Sequence, residues 1–108
     1  MDLHFIQADA IIQGRRVTYF VERDCDRLGW SNTVDDILTG QVENVRQVLC
    51  GDLETASLVD CSEDVAHEIL ARIRDEGRGP PSGSLMDFLE GALGCEAVAR
   101  FEREMEAA

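Results

Sequence analysis

Residues 17–61 read VTYFVERDCDRLGWSNTVDDILTGQVENVRQVLCGDLETASLVDC. An apolar, β-favouring run opens the stretch, an acidic turn with the chain's single Trp follows, a short amphipathic segment comes next, and a second strand-like run closes the unit. Its middle decides the fold. Val34, Ile37, Leu38, Val42, Val45, Val48 and Leu49 share one helical arc and Gly51 stands where a C-terminal cap would, so a single helix through Cys50 is one reading. Thr39-Gly40 is a weak helical centre, however, and Val45–Leu49 is rich in β-branched residues. The preferred reading is therefore a short helix from Val34, capped by Asn32 or Thr33, to about Gly40, and then a strand from about Asn44 to Cys50.

Upstream, Leu3–Ile12 and Arg16–Glu22 are β-rich runs around a Gly14 turn, which predicts a hairpin with the second strand the better buried. Downstream, Ser62-Glu63-Asp64 opens a helix with a buried stripe of Val65, Ile69, Leu70 and Ile73, and Glu76-Gly77 ends it. The run GRGPPSG cannot be helical and reads as a loop. Ser84 then caps a helix striped by Leu85, Phe88, Leu89, Ala92 and Leu93. Beyond Gly94 a last segment carries Val98, Phe101 and Met105 into an acidic tail. The expected fold class is α+β: a small antiparallel sheet of about three strands with helices packed on one face, in the order β-β-α-β-α-α. Residues 1–108 are the right length for a single small acidic domain.

TGQVENVRQVL (residues 39–49), followed by an acidic turn and VDCSEDVAHEIL (residues 59–70), resembles a pattern in short bacterial proteins that have no assigned activity. The resemblance spans roughly Thr33 to Glu90 and implies a strand at Val45–Leu49. It brings no catalytic residues with it. The chain departs from the pattern at Cys61 and in its long Pro-Gly loop.

Charge narrows the function classes. Asp and Glu number 22 against 10 basic residues, all of them Arg, for a net charge of −12. Such a surface repels phosphate backbones and anionic lipid, so direct nucleic acid binding and membrane attachment are disfavoured. The absence of Lys is most simply the mark of a GC-rich genome. No basic n-region opens the chain and no apolar run could span a bilayer, so the expected location is cytoplasmic. Cys25, Cys50, Cys61 and Cys95 form no C-x-x-C pair; free thiols are expected, with Cys50 and Cys95 packed as small apolar residues, and no cofactor is implied.

Residues 24–35 resemble a calcium loop, with Asp24, Asp26, Asn32 and Asp35 as weak metal candidates. Leu28 occupies a ligand position and Asp35 is shorter than the usual bidentate Glu, so a polar turn is the preferred reading. His67 stands one turn after Glu63 as an exposed ion pair. No nucleophile elbow, phosphate loop or local Cys-His signature supports an enzyme. Trp30 beside Arg27, with Asp24 and Asp26, has the composition of an interface anchor. The expected function is a non-catalytic interaction or regulatory module binding a protein partner with a basic surface, as a monomer or homodimer. Two alternatives stand beside it: a nucleic-acid-mimicking inhibitor of the kind phage use against host defence, and a small metal-binding protein or enzyme.

Overall fold

A computed structural model describes residues 2–52 and 54–107. Its elements are β1 (Asp2–Ile12), β2 (Arg15–Phe20), a 3₁₀ turn (Cys25–Arg27), α1 (Trp30–Leu38), β3 (Val45–Asp52), β4 (Ser57–Asp60), α2 (Ser62–Glu76), α3 (Gly83–Leu93) and α4 (Cys95–Ala107). The strands form one antiparallel sheet in the order β2-β1-β3-β4. The α+β class and the helices on one face are as expected, but the described residues form four strands and four helices.

Each local choice has a cause. Gln13 and Gly14 both take positive φ between the paired Ile12 and Arg15, the geometry of a two-residue hairpin whose twist matches its strands. The middle of the decisive stretch is helix followed by strand, because β3 pairs with β1 on one edge and β4 on the other. The chain enters the core at Val45 and Val48, whose spacing does not fit strict alternation. A β-bulge resolves this: Gln7 pairs with Gln47 and Ala8 with Val45, so Arg46 is the extra residue and both valines face inward.

Ile6, Val45 and Val48 from the sheet meet Val34 and Ile37 of α1, Val65, Ile69 and Ile73 of α2, Phe88 and Leu89 of α3, and Val98 and Phe101 of α4. Packing of an amphipathic face, more than propensity, holds helices of this length. Ile73 and Arg74 carbonyls accept the Arg78 and Gly77 amides at 3.0 and 3.4 Å, and Gly77 adopts φ 66°, which ends α2 where the sequence predicts.

Several expectations are corrected. All six residues of β2 are exposed, so it is β1, paired on both sides, and not β2 that supplies buried residues, His4, Ile6 and Ala8; β2 is the sheet edge. Strand β4 is the addition: its four residues, SLVD, are too few to show an alternation, and all are exposed at the sheet edge. Helix α1 starts a turn early, at Trp30, and its Thr33 lies buried inside it instead of capping it. Ser62 Oγ accepts the Val48 amide at 2.8 Å, tying α2 to β3, while Asp60 Oδ1 accepts the Ser62 amide at 2.8 Å at the start of the helix. Ser84 likewise reaches across to the Asn44 amide at 3.1 Å. Cys95 is exposed, its thiol donating to Glu90 at 2.8 Å, and the buried cysteine is Cys61.

Candidate functional site

Antiparallel register fixes what shares a face, because directly paired residues project to the same side. On the side away from the helices three rows run across the sheet: Leu3–Gly51–Leu58, Phe5–Leu49–Asp60, and Phe20–Gln7–Gln47. None of these residues belongs to the core cluster. Leu3, Phe5 and Leu49 are half-buried by their neighbours, and Phe20 and Leu58 are each 51% exposed. An added Cβ at Gly51 would lie 2.7 Å from Leu58 Cδ2, so the glycine lets Leu58 fold down over the face. Gln47 donates to Gln7 across it. The outcome is a largely apolar sheet face that none of the described helices covers.

At one corner of the molecule stand the residues singled out around Trp30. Arg23, with a side chain only 5% exposed, donates to Asp36 Oδ2 at 3.1 Å, the Arg27 carbonyl at 2.9 Å, the His4 carbonyl at 2.7 Å and Thr33 Oγ1 at 3.0 Å. Arg27 is bonded to Asp36 as well and lies 3.8 Å from Asp35; the Asp36 hydrogen bond raises its already high pKa. Arg27 is thus turned inward, holding the 3₁₀ turn against α1. Trp30 remains 37% exposed, its ring tilted against His4 with centroids 5.5 Å apart. Asp24 and Asp26 are exposed, their carbonyls accepting the Arg27 amide and the Asn32 side chain. The calcium-loop candidates are therefore split between a turn and a helix, with an arginine beside Asp35. His67 and Glu63 are the exposed i,i+4 neighbours expected, at 3.8 Å.

One grouping escapes sequence reasoning altogether. On the helix-covered face His4 pairs with Cys50, and Cys61 follows β4 with its amide bonded to the Val48 carbonyl at 2.8 Å. The ligand atoms of His4, Cys50 and Cys61 all lie within 4.8 Å of one another. His4 and Cys61 are each 7% exposed. Burial first, and the Cys50 thiol second, push the Cys61 thiol up to about 12, so without a cation it is no nucleophile at neutral pH. The only signal in the sequence is parity: His4 alternates with Ile6 and Ala8, and Cys50 with Val48. Which strands pair is a tertiary fact.

Among the described residues no helix is long and apolar enough to cross a membrane. No family model matches this chain, and no curated protein and no solved structure matches it either. What fold and surface define is a class: a small two-layer α+β domain with one sheet face uncovered.

Proposed function

We propose that the chain is a non-catalytic interaction module that docks a protein of basic surface against the uncovered sheet face. The supporting observation is the apolar field of Leu3, Phe5, Phe20, Leu49 and Leu58, which the chain's own helices leave uncovered. Contiguous exposed apolar surface on a small domain marks an interaction site. Exposed Glu22 and Glu54 stand in the segments leaving β2 and β3, and the whole chain carries −12. A second copy would bring like charge against like, which costs several kcal/mol, whereas a basic rim on the partner would steer association. The apolar field also favours docking over nucleic-acid mimicry, which needs carboxylates in rows at phosphate spacing.

The test is capture from the native cell followed by reconstitution with the purified partner. A basic protein should bind wild type, bind more weakly as salt rises, and lose affinity more than about tenfold with Phe20→Asp or Leu58→Asp. Both positions are half exposed, so the variants should keep wild-type circular dichroism. An acidic partner, or binding indifferent to both substitutions, would overturn the reading.

A further inference from the structure

We propose that His4, Cys50 and Cys61 form a binding site for a single thiophilic divalent cation of the zinc class, with the fourth coordination position held by solvent. Donor chemistry is the first support. One imidazole and two thiols are the ligand types that zinc takes, and three protein ligands with one open position is a known arrangement for it. Separation is the second. Zinc–sulfur bonds of about 2.3 Å put tetrahedral ligand atoms somewhat under 4 Å apart. The three donors here, within 4.8 Å of one another, need only small side-chain rotations to close on an ion.

Orientation is the third support. His4 Nδ1 faces the Leu28 carbonyl at 3.3 Å, and a carbonyl can only accept, so Nδ1 carries the proton and Nε2 presents a lone pair. A ligating histidine characteristically gives its other N–H to such a carbonyl, which fixes tautomer and ring plane. The Leu28 carbonyl is itself fixed by accepting the His4 amide at 2.8 Å, and Arg23 holds the His4 carbonyl at 2.7 Å. Trp30 packs on the ring. The thiols sit on well-ordered backbone, Cys50 inside β3 between β1 and β4, and Cys61 at the start of α2.

Charge closes the case. Binding converts two thiols to thiolates with release of two protons, so a divalent ion, two thiolates and a neutral imidazole make a centre of no net charge. A neutral centre suits a site this buried, where an isolated charge would be costly. No redox step and no further reactant is involved. The site lies on the opposite face of the sheet from the docking field and does not depend on it.

Full-length protein, stripped with chelator and reduced, should bind one Zn²⁺ per chain in competition with a chromophoric chelator. Co²⁺ in its place should give the thiolate charge-transfer absorption and intense visible bands of a tetrahedral site. Zinc should shield the half-buried Cys50 from alkylation, mapped by mass spectrometry, while exposed Cys25 and Cys95 react fully and Cys61, buried in the metal-free fold, stays unreactive in either state. Cys50→Ser, Cys61→Ser and His4→Ala should each weaken binding more than about a hundredfold, whereas the Cys25→Ser/Cys95→Ser double variant should bind as wild type. The stoichiometry and the Co²⁺ spectrum of the wild type need no variant, so they decide the matter even if a substitution unfolds the chain. Binding that is absent from the reduced wild type, that shields Cys25 or Cys95 instead, or that survives loss of either core thiol would overturn the proposal.

Discussion

Arg23 and Asp36 form an ion pair at 3.1 Å with side chains only 5% and 7% exposed, and it ties the segment after β2 to α1. Removing one member of a buried pair strands the other charge, which costs about 3–5 kcal/mol. Asp36→Ala should lose that much in urea melts, because it releases both Arg23 and Arg27. Arg27→Ala should lose less, since Asp36 keeps Arg23 as its partner and the pair with the 38% exposed Arg27 is screened by water. Equal losses from the two variants would contradict the role given to burial.

Phe88 is 3% exposed and packed among the core residues of its own chain. Phe88→Ala should open a cavity and cost about 3–5 kcal/mol, a large share of the stability of a domain this size. The loss should be the same across a hundredfold range of protein concentration. A melting temperature close to wild type would show that the packing of α3 has been misread.

Gly51→Ala tests the β3–β4 pairing. An added Cβ would meet the Ser57 carbonyl and Leu58 Cδ2, backbone as well as side chain, so the strand must move. Amide exchange should speed up selectively across residues 57–60. Uniform protection in the variant would mean that the two strands can separate to admit a methyl group at little cost.

Calcium should leave the Trp30 fluorescence unchanged. Arg27 lies 3.8 Å from Asp35 and the Asn32 amide is turned to the Asp26 backbone carbonyl, so Asp35 already has a cationic neighbour and Asn32 is held in the turn. A saturating response at micromolar calcium, lost in Asp24→Ala, would reverse this.

The metal-free protein should grow less stable in alkali. Cys61 titrates at about 12 in the fold against 9.0 for an ordinary thiol, so between those values the native state holds a proton that the unfolded chain has released. Stability from this group is complete below pH 9 and is lost as pH rises through 12. Urea midpoints measured with chelator should fall above about pH 9, and fall less steeply in Cys61→Ser. Parallel slopes for the two proteins would sink the assignment.

Much of this protein was legible in the chain itself. The hairpin around Gly14, the helix beginning at Ser62, the stripe of Leu85, Phe88 and Leu89, and the strand at Val45 all follow from periodicity and turn chemistry, which act over a few residues. Local rules could not show that Arg46 bulges, that β4 adds a fourth strand, or that β2 is the exposed edge, because each depends on which strand lies beside which. The same limit hides the grouping of His4, Cys50 and Cys61. The three are distant along the chain, and only the pairing of β1 with β3 and the return of the chain through β4 set them side by side. Arg27, read as a surface contact beside Trp30, is drawn inward by Asp36, whose burial only the packing of α1 determines. Sequence specifies the elements because their forces are short-ranged; the sheet order decides the neighbours because those forces act between residues distant along the chain.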